Sequence, residues 1–436
     1  MPEPLDVLHK AIHENDAGAV RAALRDHPDL KSTIDAALPH GPFGQTAMLA
    51  AVHKRNLEIV DLLLGAGADI NVGSHWWAGS FTVLDDADEA ILPALLDRGA
   101  AMTPHAAARL GLIDRLRTMI ASDPSVVHKR GGDGQLPLHF ASTIEIADLL
   151  LRHGAEIDAI DVDHESTAAQ WMLGTVVGDD PSSTRHHVAR FLVARGCRTD
   201  ILMASALGNA ERVRTHLADD PASIRTSVSE RWFPKRDPRA GGTIYIWTLG
   251  ANKTAHLVAR KFGHDDIFAM LMAASSPEVR LPVACELGDE ALVRSLLNAT
   301  PHLADALTDE EWRRVVDAAQ DGNVNAVRLM LDAGWPVDAR GRHGATALHW
   351  AGFHGNTAMT REILKHRPPL EARSVEHDGT PLDWAVYGSR YGWNPKASDH
   401  AGTVEALLDA GARAPSDTEH ATDAVRAVIR RYNRGG

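Results

Sequence analysis

Twelve stretches of this chain fall on one template of roughly 33 residues, and such a period constrains the fold more than any single residue does. The clearest copies surround Thr346 (ATALHWAGFHGN) and Thr380 (GTPLDWAVYGSR), 34 positions apart. Each follows a glycine and runs into an amphipathic stretch. A Leu-rich second run then ends in glycine: LLLGAGADIN at 62–71, LLLRHGAEID at 149–158, LMLDAGWPVD at 329–338 and LLDAGARA at 407–414. A fixed period with helix–turn–helix content predicts stacked units, none of which buries its apolar face alone.

The residue types suit that unit. Thr380 can cap a helix through its hydroxyl, and Pro381 fits the first helical position, where no N–H is required. Alanine recurs at one template position (Ala51, Ala107, Ala141, Ala204, Ala259, Ala284, Ala318, Ala351, Ala385), which predicts close approach of neighbouring helices. Gly67, Gly154, Gly334 and Gly411 fall where a helix has to stop with positive φ. These residues resemble the ankyrin repeat, whose pattern opens on Gly-x-Thr-Pro-Leu-His and closes on Leu-Leu-x-x-Gly-Ala. The resemblance covers nearly the whole chain, with first positions near 6, 46, 82, 102, 136, 167, 199, 254, 279, 313, 346 and 380. It implies an all-α helical solenoid of about 11–12 degenerate repeats over residues 1–416, with loop or hairpin insertions. Residues 417–436 read as a capping helix and tail, with Val425, Val428 and Ile429 on one apolar face. The copy near Thr82 is short, and the step from 199 to 254 is stretched.

A net charge of −13, from 45 basic and 58 acidic residues, excludes a general nucleic-acid or anionic-membrane binder, which needs a basic footprint. The two cysteines, Cys197 and Cys285, are expected to be free thiols in a reducing compartment. The first residues carry no signal-peptide pattern, and no apolar run is long enough to span a membrane, so a soluble, cytoplasmic and monomeric protein is expected.

Four segments exceed the template: 72–81, 174–186, 225–253 and 388–402. Insertions of this kind map to loops, often on the binding side. Within 225–253, a basic and aromatic cluster around Trp232 precedes Thr243-Ile244-Tyr245-Ile246-Trp247, whose alternation predicts a strand and a hairpin near 243–252. That insertion is either a contact lid or a loop that buries Trp232 and Trp247 against its own repeats. Tyr391 and Trp393 lie in the fourth segment, as anchors or contacts.

Aligning the copies puts Phe140, Trp171, Trp350 and Trp384 at one position, with Phe353, His354 and Tyr387 one helical turn on. The resemblance places these on the concave side. Trp350, Phe353, Trp384 and Tyr387 are therefore expected to form an exposed aromatic patch for a protein partner. His139, His349 and His264 match family positions that tie neighbouring repeats together. His343, His354 and His377, with Asp378, are the one cluster with metal or proton-transfer potential, but no recognised catalytic or phosphate-binding motif is present and no cofactor or metal is expected. The leading reading is a non-enzymatic protein-binding scaffold. The alternative is a small-molecule binder or enzyme, with a pocket where 225–253 and 388–402 close over the concave face.

Overall fold

A computed structural model describes residues 3–85, 87–88, 90–174, 185–393, 398–415 and 418–435. Most of the 174–186 segment and part of 388–402 therefore lie outside the described residues. The chain is 57% helical, and the described residues contain no strand, only isolated antiparallel bridges such as Ile160 with Thr167.

The first helices begin beside the expected template positions, at Ala47, Pro104, Pro137, Ala168, Ile201, Arg314, Ala347 and Pro381. Threonine starts many of them: the hydroxyls of Thr46, Thr103 and Thr380 accept backbone N–H groups three residues on. The recurrent alanines are all buried, and Gly67, Gly154, Gly334 and Gly411 all take positive φ. The copy near Thr82 lacks a described first helix and keeps only Leu92–Asp97.

The chain forms two compact units, Met1–Thr254 with Lys261–His264, and Ala255–Arg260 with Asp265–Gly436. In the first, a continuous core runs from Leu8 to Ala106 through Ile59, Leu63, Leu84 and Leu95. In the second, the core runs from Leu281 through Val327, Leu348 and Leu382 to Ile429. Here the helices Arg314–Gln320, Ala347–Phe353 and Pro381–Tyr391 pack side by side. Gly352 and Gly388 let the last two touch: a Cβ on Gly388 would stand 2.2 Å from the Phe353 carbonyl oxygen. The helix Asp423–Gly435 lays Val425, Val428 and Ile429, all buried, against His400–Asp409.

The segment 225–253 departs from its expected form. The strand signal at 243–247 folds as the short helix Tyr245–Thr248. The cause is tertiary: Tyr245 is fully buried, donates its hydroxyl to Asp200 at 2.8 Å, and packs edge-on against Phe233. A paired hairpin would turn alternate residues outward, whereas this arrangement spends the Tyr245 ring on the first unit's interior. Both cysteines are free and buried, and burial pushes each thiol up to about 12.

Candidate interaction site

The repeat register builds the site in the second unit. Thr346 N–H donates to His349 Nδ1 at 3.0 Å, and His349 Nε2 donates to the Gly379 carbonyl at 3.1 Å, which joins one repeat to the next. His139 does the same, accepting from Leu136 and donating to the Ser166 carbonyl. His264 donates to the Ala206 carbonyl. These three histidines hold the stack together, as the family resemblance implied. Burial lowers His349 to about 4, opposed by its bonds to backbone carbonyls.

Fixed in this way, Trp350 and Trp384 meet edge to face, with ring centroids 5.2 Å apart. Phe353 lies 5.9 Å from Trp350, and His354 stacks on it at 6.0 Å, as three- and four-residue helical spacing requires. The expected neighbours are therefore together, but the expected exposure is not observed. Trp350 is 3% and Trp384 8% exposed, so this pair is a buried wall rather than an open patch. The reason lies in what surrounds it. His343 and His377 cover it from the turn tips, and Trp393 covers Trp350, Phe353 and His354 at 5.3–5.7 Å. Trp384 Nε1 donates to Ser374 Oγ at 3.2 Å, while the buried Trp350 Nε1 has no hydrogen-bond partner.

The exposed rings are the next ones out. Trp393 is 65%, Tyr387 48% and Tyr391 46% exposed. The two tyrosines lie 4.7 Å apart at the end of helix Pro381–Tyr391, and both contact His420. Trp393 follows two residues later. The exposed rings are thus these three, of which Trp393 packs on the buried Trp350.

His343 and His377 do approach, with centroids 5.2 Å apart. Their acidic companion is Glu376, which meets His343 Nδ1 at 2.5 Å, and not Asp378, which pairs with Arg373. The hydrogen bond to His343 lowers the Glu376 carboxyl. His354 is directed elsewhere, to the Gln320 carbonyl at 2.8 Å.

In the first unit, 225–253 lies on its own repeats. Glu165 accepts the backbone N–H groups of Arg236 and Asp237, and Ile244 N–H donates to Ser166 Oγ. Tyr245 is the anchor and is not available as a contact residue. Trp232 is half-buried, beside a cleft of about 300 Å³ that His164, Gln170 and Thr243 also line. Trp247, expected to be buried if the segment folded back, is instead 67% exposed.

One cluster escaped the sequence reading. Asp133, Asp163 and His164 are buried together, with Asp161 beside them. Its signal was the run Asp161-Val162-Asp163-His164-Glu165, acidic and histidine-bearing where the template needs only a turn. Asp133-Gly134 forms the equivalent turn of the preceding repeat and also contributes a side chain.

Known proteins support the repeat assignment directly. The family "Ankyrin repeats (3 copies)" matches residues 281–374 and 315–418, and "Ankyrin repeat" matches 43–75 and 133–162. The chain is 30% identical over 118 residues to palmitoyltransferase Hip14 of Drosophila melanogaster, covering 27% of this chain and 17% of that protein. It is 35% identical over 83 residues to the E3 ubiquitin-protein ligase XB3 of Oryza sativa subsp. japonica, covering 19% of this chain and 18% of that protein. The chain thus spans less than a fifth of the length of either relative. Matched repeats in both units, with the Thr–His and Thr–Asp caps and the buried alanine row, show that this chain carries ankyrin repeats.

Proposed function

We propose that this chain is a binding scaffold that takes a protein partner on the inner-helix and turn-tip face of its second unit. Ankyrin repeats typically bind protein partners, and nothing in this reading requires catalysis. Tyr387, Tyr391 and Trp393 are the contact rings, and Trp350, Phe353, His354 and Trp384 are the base that fixes them. The observation that carries the proposal is three large exposed rings at or just beyond the end of one helix, with Trp393 packed on the buried Trp350 and Tyr387 against Tyr391. Aromatic anchors of this kind contribute much contact area at small entropic cost. The test is capture from the native lysate by the immobilised chain, compared with the triple variant Tyr387→Ala, Tyr391→Ala, Trp393→Ala. Trp247→Ala in the other unit is the control. A specific partner should be retained by native protein and control and lost by the triple variant. Equal capture by all three would remove the surface from consideration.

The cleft beside Trp232 favours a second reading, a small polar ligand held by Glu165, Gln170 and Lys235. Its volume, about 300 Å³, is at the lower end of ligand-sized sites. A fragment screen followed by Trp232→Ala tests it; no hit sensitive to that change would dismiss it.

A further inference from the structure

We propose that Asp133, Asp163 and His164 bind one first-row divalent metal ion, of the zinc or manganese class, beneath the 225–253 segment. The backbone assembles the three residues. Asp133 sits at the left-handed position of the turn Gly132–Gly134, with φ of 55°. Its carbonyl accepts the N–H groups of Val162 and Asp163 at 2.9 and 3.0 Å, which brings the second turn alongside the first. Each of the three side chains then offers a ligand atom, all within 4.8 Å of one another.

His164 is set up as a ligand. Its Nδ1 lies 2.9 Å from the Gly242 carbonyl oxygen, which can only accept. The proton therefore resides on Nδ1, and in the neutral ring Nε2 turns its lone pair inward, 3.6 Å from Asp163 Oδ2. A backbone carbonyl holding the far nitrogen is how metal-ligating histidines are usually oriented. Asp161 forms the layer behind: one oxygen accepts from Ser166 N–H and Trp171 Nε1, the other from His164 N–H. Asp163 accepts from Gly241 N–H. A Cβ on Gly241 would come within 3.2 Å of Asp163 Oδ2, so glycine lets this backbone close over the site.

The second observation is independent of the clustering. Asp133 is 9% exposed, and the donor beside its carboxylate is the Trp76 indole N–H, which makes no bond of normal geometry with it: Asp133 Oδ1 and Trp76 Nε1 are both left without a well-formed partner. Among the described residues no Lys or Arg pairs with Asp133, Asp161 or Asp163. Buried carboxylates without a compensating charge are costly, and a bound cation removes that cost. The competing arrangement, a plain Asp163–His164 ion pair, is long at 3.6 Å and gives the Asp133 carboxylate no opposite charge. One imidazole with two carboxylates suits zinc or manganese better than calcium or magnesium, which take oxygen ligands. Bonds of about 2.0–2.2 Å set tetrahedral ligand atoms roughly 3.3–3.6 Å apart, so a spacing at the 4.8 Å limit would close by roughly 1.2–1.5 Å.

The test uses the full chain, stripped with chelator and dialysed against Zn²⁺ or Mn²⁺ alone. Native protein is expected to retain one ion at this site and to melt at higher temperature with it. Asp133→Asn and His164→Gln should each weaken retention about tenfold or more, whereas His343→Gln, at the exposed His343–Glu376–His377 trio, should leave this ion in place. Asp133→Asn removes an unpaired buried charge and should fold, so it decides the matter if His164→Gln does not. No ion retained by native protein, unchanged affinity in Asp133→Asn, or loss confined to His343→Gln would overturn the proposal. None of these outcomes depends on the partner surface.

Discussion

At the scale of single residues, burial decides which aromatic ring supports and which one contacts. Trp350 and Trp384 share a template position that the repeat pattern leaves outside the helix-pair core, and the alignment correctly makes them neighbours. It carries no information on Trp393, which is not on the template yet packs on Trp350. Either tryptophan cut to Ala should therefore cost roughly 3–5 kcal/mol of stability, as for other buried aromatics. Trp393→Ala, with its ring 65% exposed, should cost far less. Urea unfolding of the three variants checks this. The histidines set a pH dependence. Burial holds His349 and His256 at about 4, while the unfolded ring titrates near 6.5. Arg340 and Arg314 add to the lowering, and backbone hydrogen bonds oppose it. Below about 6.5 the unfolded chain binds protons that the folded chain refuses, so stability falls as pH drops towards 4. At pH 5.5 the loss is about 1.4 kcal/mol for each such group, which denaturant midpoints at pH 7.5 and 5.5 would reveal.

At the scale of elements, the repeats were legible because local chemistry and global packing agree. Thr380 and Pro381 start a helix, Gly411 ends one, and Ala385 is buried where helices meet. The insertion 225–253 was not legible, because its conformation is set by groups far away in sequence. Asp200 takes the Tyr245 hydroxyl and Glu165 takes two backbone N–H groups, so a strand-like run becomes a helical turn. Tyr245→Phe should destabilise this segment by about 1–3 kcal/mol, since it leaves a buried Asp200 oxygen without its donor. Burial raises the Asp200 carboxyl already, and its bond to Tyr245 opposes that rise. Faster proteolysis within 225–253 is the expected readout. The helix Asp423–Gly435 acts, in our reading, as a cover for its neighbour. Deleting 417–436 strips Val425, Val428 and Ile429 from the core, a loss on the order of 5 kcal/mol, and should lower the melting temperature and raise aggregation. Unchanged melting would refute the covering role.

At the scale of the whole molecule, each unit is a stack whose repeats touch mainly their neighbours, so damage should stay local. No described helix is long and apolar enough to cross a membrane. The proposed metal site and the proposed partner surface lie in different units, and each proposal can fail without the other. The central claim is that a buried tryptophan wall supports an exposed aromatic rim. Hydrogen exchange resolved along the second unit tests it most directly, because it reports each helix separately. In Trp350→Ala with Trp384→Ala, protection of Ala347–Phe353 and Pro381–Tyr391 should collapse. In Tyr387→Ala, Tyr391→Ala, Trp393→Ala, the protection of both helices should stay near native. Loss of protection in the rim variant like that in the wall variant, or protection kept by the wall variant, would contradict a supporting role for the buried tryptophans.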